Sequence, residues 1–306
     1  MNESSSPDRQ SRVTLITVAG QIGSGKTEVC SEIGRRTYWK IVSAGVILRR
    51  MAAEKGMSIL EFNEYAKAHK EIDREIDGYL ASLDRSPESL IVDSRLAWHF
   101  LPNSFKVYLV VEPVIGGNRV YLASRADENH ASPETAGADN AERQRLEQER
   151  FFSLYSVSPG NWRNYDLVID TTHASPGEVA DVIMKRAADG SDLPRPDCWL
   201  SPRRLVPTRE IHEPAGESWE RDEPPVSVAV YNGAFLIVDG YARTSAALVL
   251  NRKLIECRLA ALDNEEVQPG VSAAKFAVQS ASLRSIHAWE SAHEFRMLSY
   301  PGWLEV

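Results

Sequence analysis

VTLITVAGQIGSGKT, residues 13–27, is the stretch that decides the architecture. Its first half, VTLITVA, is an unbroken apolar and β-branched run, which predicts a parallel strand buried on both faces. Gly20-Gln21-Ile22-Gly23-Ser24-Gly25-Lys26-Thr27 then satisfies G-x-x-x-x-G-K-[ST], and a helical pattern over Lys26–Arg35 follows directly. Strand, glycine-rich turn and helix in this order make a cradle for phosphate. Gly20, Gly23 and Gly25, with Ser24 between them, let backbone N–H groups turn inward around phosphate oxygens, and the helix N-terminus adds its positive dipole end. Lys26 is placed to neutralise β- and γ-phosphates, and the Thr27 hydroxyl to hold Mg2+.

Working outward, buried-strand runs recur at Trp39–Ser43, Leu90–Asp93, Lys106–Glu112 and Asp166–Thr171. Helical patterns separate them: Val46–Lys55, Ile59–Ala68, Ile72–Leu83, Glu142–Tyr155 and Glu178–Arg186. Strands alternating with helices imply right-handed crossovers and a parallel sheet covered on both sides, so 13–187 reads as a three-layer α/β domain. Residues 126–141 (ADENHASPETAGADNA) are small, polar and acidic without periodicity, and predict a mobile loop, part of a lid over about 121–142. Asp93, closing an apolar strand, reads either as a helix N-cap or as a second magnesium-organising acid; the phosphate loop favours magnesium.

Gly190, Pro194, Pro196 and Pro202 break any helix, so 188–200 reads as a linker. Beyond it the rhythm changes to short strands at Ser227–Tyr231 and Phe235–Asp239, a helix at Arg243–Leu250, a strand at Glu256–Leu262 and a final helix over Leu283–Leu298. His287 and His293 share that helix six residues apart, a poor spacing for joint metal ligation, so a packing helix is the expectation.

Composition bounds the rest. With 306 residues, 43% hydrophobic and 25% charged, the chain has ordinary globular composition and room for two domains. No apolar stretch approaches the roughly 18 to 20 residues of a membrane span. Residues 1–12 are polar and predict a disordered N-terminus without the features of a signal peptide. Three scattered cysteines, Cys30, Cys198 and Cys257, suit a reducing cytoplasm. A net charge of −8 disfavours wholesale nucleic-acid binding.

From Val13 to about Arg186 the chain resembles the P-loop nucleoside monophosphate kinases, above all the archaeal-type cytidylate kinases. VAGQIGSGKT at 18–27, SAGVILRRMAAEKGMSILEFNEYA at 43–66, EIDREID at 71–77, DSRLAW at 93–98 and YDLVIDT at 165–171 carry the likeness. The resemblance implies a five-stranded parallel sheet, ATP as donor with Mg2+, and transfer of the γ-phosphoryl to a nucleotide phosphate. It also implies that Ser43, Gly45 and Arg49 line the acceptor site, that Asp73 lies near the base, and that Arg95 grips the acceptor phosphate. Arg143 and Arg150 fall on the arginines flanking the lid. Arginines in a water-poor site cancel the repulsion between two phosphate-bearing reactants; the competing reading of 141–150 is a solvated charged helix. Where the family has Glu-Gly-Arg, this chain has Asp93-Ser94-Arg95, and its lid keeps only Arg125 of the usual basic residues.

Residues 201–262 resemble the ParB/sulfiredoxin-like fold, through SPRRLVPTREI at 201–211 and PPVSVAVYNGAFLIVDGYARTSAALVLNRKLIECRL at 224–259. In relatives the helix opened here holds a nucleotide phosphate, which makes Gly240 and Arg243 candidates for a second site. The alternative is a domain kept for packing or recognition. Three functions follow as expectations: a cytidylate-like kinase, a kinase of the same mechanism with a modified-nucleoside or small-alcohol acceptor, and a nucleotide-dependent DNA-associated regulator. Oligomeric state stays open.

Overall fold

The structure is a computed structural model describing residues 14–57, 61–62, 65, 69–123, 132–189, 196–213 and 224–304. The expected disordered N-terminus, most of the helix expected at 59–68, and Arg125 lie outside the described residues.

The chain opens with β1 (Leu15–Gly20), α1 (Lys26–Thr37), β2 (Lys40–Ser43), α2 (Ala44–Glu54) and α3 (Lys70–Ser82). It continues through β3 (Leu90–Asp93), the short α4 (Ala97–Phe100), β4 (Phe105–Val110), α5 (Pro113–Ala123), α6 (Pro133–Tyr155), β5 (Leu167–Asp170) and α7 (Pro176–Asp189). Then come β6 (Asp197–Leu200), β7 (Leu205–Val206), β8 (Val226–Tyr231), β9 (Ala234–Asp239), α8 (Tyr241–Val249) and β10 (Ile255–Leu262). After a small two-stranded ribbon come α9 (Ala273–Ser280) and α10 (Leu283–Ala292), followed by a 3-10 turn at Gly302–Leu304.

The expected five parallel strands are present, but they are half of a mixed ten-stranded sheet ordered β2-β3-β1-β4-β5-β6-β10-β8-β9-β7. The correction begins in the expected linker. Residues 197–200 pair in parallel with β5 and antiparallel with β10, so the stretch joins the two halves through backbone hydrogen bonds. Cys198 and Leu200 of this strand are fully buried. Arg186 at the end of α7 clamps its start with a 2.5 Å ion pair to Asp197, whose carboxyl pKa burial raises. Four residues directly behind two prolines are too short for a periodicity to emerge.

A second correction concerns the acidic loop. From Pro133 onward it is helix, started by a reciprocal capping box between Ser132 and Thr135 with proline at the first turn. Residues 124–131 lie outside the described residues. The last helix also stops earlier than expected, at Ala292.

The strand alternation sorts side chains onto two faces. On one, Ile16, Val18, Val107, Leu109, Leu167 and Ile169 pack against Val29 and Ile33 of α1 and Val179 and Ile183 of α7. On the other, Tyr108, Val110 and Val168 meet Trp98, Trp162 and Tyr165, and the same cluster runs on into Val228, Phe235, Ile237 and Trp289. One apolar core therefore spans both halves. Among the described residues, no helix is long and apolar enough to cross a membrane.

Candidate phosphoryl-transfer site

The phosphate loop connects β1 to α1 as expected, with Gly25 as the N-cap of the helix. Gly23 has φ 77°, and a side chain there would run into the backbone of Gly116 in α5, so this position requires glycine. Lys26 is half-buried and its Nζ lies 3.3 Å from the Gly20 carbonyl and 3.4 Å from that of Gln21. These two neutral acceptors hold the ammonium where phosphate oxygens would bind it more strongly. Desolvation, and next the charge of Arg95, lower the Lys26 pKa to about 8; Arg143 adds to the effect.

The sign of that shift gives a pH dependence. An ammonium with a pKa near 8 in the free protein gains a phosphate partner on nucleotide binding, which raises its pKa. Affinity for ATP is therefore expected to be full below pH 8 and to fall as pH rises above it, with proton uptake on binding. Calorimetric titrations between pH 6.5 and 9.5 check this; an affinity flat across the range contradicts it.

Thr27 Oγ1 donates to Asp93 Oδ2 at 3.1 Å, so the sheet brings together the two residues expected at the metal. A hydroxyl and a carboxylate are hard oxygen donors, and Mg2+ characteristically takes one or two protein groups plus water and substrate phosphates. The pair fits that ion.

Arg95, two residues past β3, reaches the same mouth. Its guanidinium is ion-paired with Glu147 of α6, both about a quarter exposed, and Glu147 also accepts from Arg143 Nε at 3.3 Å. Gly20, Ile22, Arg95, Tyr108 and Glu147 line a small pocket beside the loop. Arg150 lies two turns further along the same face of α6, half-buried. Across the sheet edge, the Arg49 guanidinium folds over Gly45, 3.5 Å from where a Cβ would stand, and Ser43 Oγ is 3.8 Å from that point. These three residues lie together at the start of α2. Asp73 falls on α3, with its side chain outside the described residues.

The second candidate site is arranged differently. Gly240 has φ 94° and caps α8 where a Cβ would press on Val226. Arg243 is buried and donates to the Pro224 carbonyl at 3.4 Å, on the approach to β8.

Two residues of the site escaped the sequence reading. Arg119 donates to the Gly23 carbonyl at 3.4 Å, to Thr171 Oγ1 at 3.2 Å and to the Thr171 carbonyl at 2.8 Å, tying α5 to the phosphate loop and to the turn after β5. Its only signal is that it is the single cation in PVIGGNRVYLA. Glu147 is the other, hidden among the alternating charges of 141–150. Beyond the pocket a cleft of about 790 Å3 opens between the two halves, with Gln21, Tyr108 and Gln148 on one wall and Asn232, Phe235 and Asn264 on the other.

The family model described as an AAA domain matches residues 16–150. Cytidylate kinase from Archaeoglobus fulgidus is 32% identical over 171 residues, covering 56% of this chain and 92% of the relative. Cytidylate kinase from Pyrococcus abyssi is 36% identical over 177 residues, covering 57% and 93%. An S-adenosylmethionine-dependent nucleotide dehydratase from Lacinutrix mariniflava is 39% identical over 173 residues, 56% of this chain; the chain spans only 35% of that relative's length.

Proposed function

The chain belongs to the family of the cytidylate kinases, and from that premise we propose that it transfers the γ-phosphoryl of ATP to the phosphate of a pyrimidine nucleoside monophosphate of the cytidylate or deoxycytidylate type. The observation that carries this reading is the convergence of Lys26, Arg95 and Arg143 beside the phosphate loop. A phosphate acceptor brings negative charge to an already anionic donor, and three cations at one point offset that repulsion.

In this mechanism the loop amides and Lys26 hold the β- and γ-phosphates, and Thr27 and Asp93 would hold Mg2+. When bound, the ion would supply charge neutralisation to the donor. Arg95 grips the acceptor phosphate with its planar fork, which positions one acceptor oxygen for attack on the γ-phosphorus. Arg143, and Arg150 further along the same helix, close over the transferring group as its charge spreads. Ser43, Gly45, Arg49 and Asp73 bind the acceptor on the α2–α3 side. The C-terminal half, read as ParB/sulfiredoxin-like, contributes recognition through the cleft that it shares with the kinase half.

A second reading, the same chemistry on a modified nucleotide, is supported by one finding. A relative 39% identical over 173 residues is named a nucleotide dehydratase, so likeness over this length of chain also extends to a protein named for another nucleotide chemistry. A coupled ADP-release assay across nucleoside monophosphates tests both. Cytidylate or deoxycytidylate is expected to stimulate ADP release; stimulation by neither, with turnover on another nucleotide, replaces the first reading with the second.

A further inference from the structure

The loop, the metal pair and the arginines are accounted for by phosphoryl transfer. The inward-turned carboxylate of Glu147 is not. Two other acids of α6, Glu142 and Glu149, face outward and both pair with Arg145 on the exposed side of the helix. Glu147 alone of these lines the pocket beside Gly20 and Ile22 and engages both Arg95 and Arg143. Those arginines and Lys26 carry three positive charges at the mouth of the loop, and both arginines depress the lysine pKa. Asp93 offsets part of this charge on the loop side, and Glu147 is the carboxylate that engages both arginines, whose mutual repulsion it relieves.

We propose that Glu147 is the internal counter-anion of the empty acceptor site: a positioning residue that holds the Arg95 fork until an acceptor phosphate displaces it. A carboxylate and a phosphate monoester both match a guanidinium fork, but the phosphate brings about twice the charge and wins the exchange. While Glu147 holds Arg95, that fork is unavailable to stabilise transfer to water. The contact thus couples use of the arginine to arrival of the acceptor. The hydrolysis arm of this proposal rests on the kinase reading; the anion-exchange arm does not.

The test uses sulfate as probe, titrated calorimetrically into the full chain saturated with magnesium and a non-hydrolysable ATP analogue, so that the phosphate loop is filled. Glu147→Gln is expected to tighten sulfate binding at least about fivefold, because the competing charge is gone. Glu147→Asp should stay near the wild type, and Glu142→Gln, on the outer face, should change nothing. Acceptor-free ATP hydrolysis should rise at least about threefold in Glu147→Gln. Sulfate affinity within twofold of the wild type, or weaker, overturns the proposal. Should Glu147→Gln not fold, Gln144→Glu tests the same electrostatics in the opposite direction. This second carboxylate on the pocket wall should weaken sulfate at least about fivefold, and an unchanged affinity overturns the proposal equally. If sulfate responds as expected while no nucleoside monophosphate is phosphorylated, the anion exchange stands and the acceptor assignment falls.

Discussion

Lys26→Ala is expected to lower kcat by about a hundredfold or more while leaving the protein folded. The ammonium sits over the Gly20 and Gln21 carbonyls at the mouth of the loop, where charge develops on the transferred group and little solvent competes. Its lowered pKa means that burial already disfavours the cation in the empty site. Removing it therefore costs the fold little, and the thermal midpoint is expected to hold or rise. Steady-state ADP release and a thermal melt check the two halves of this expectation. Full turnover in the variant removes the phosphate loop from the mechanism.

Arg95→Ala is expected to lower kcat/KM for the acceptor monophosphate by about ten- to a hundredfold, or one to three kcal/mol of lost charged hydrogen bonding. The KM for ATP should change little, because the loop is untouched. Arg95→Lys should recover only part of the loss, since a point charge cannot reproduce the fork. The partner left behind makes the loss larger: Glu147, deprived of Arg95, repels the incoming phosphate. Adding Glu147→Gln to Arg95→Ala should recover some of the acceptor affinity. Equal acceptor kinetics for wild type and Arg95→Ala would remove the arginine from the acceptor site.

The parts of the fold legible in the sequence were those written in local chemistry. The apolar run before Gly20, the glycine spacing and Lys26-Thr27 specify one backbone path almost by themselves. Leu90–Asp93 and Asp166–Thr171 announce buried strands for the same reason. The short strand Asp197–Leu200 did not, because prolines mark a break in local structure but cannot say that the next four residues pair with strands 30 and 58 positions away. The capping box Ser132-Pro133-Glu134-Thr135 was readable in principle, yet the small acidic residues around it drowned the signal. Motif and resemblance single out Thr27 with Asp93, and Ser43, Gly45 and Arg49, residues that the structure brings close within each set. Arg119 and Glu147 do not, since their roles exist only once helices distant in sequence lie against the loop.

The strand Asp197–Leu200 also has a consequence for biosynthesis. Its parallel partner, Leu167–Asp170, precedes it, but its antiparallel partner, Ile255–Leu262, lies more than fifty residues downstream. At about 5 to 20 residues per second, the growing chain carries an open sheet edge for roughly 3 to 11 seconds before the next strand can cover it. The apolar face continued by Val228, Phe235 and Trp289 is incomplete for at least as long. An unpaired edge beside exposed apolar surface is a template for pairing with another nascent chain. The edge is only four residues long, and the buried Arg186–Asp197 pair pins its first residue from the helix already made. Both limit how much backbone another chain could capture during those seconds.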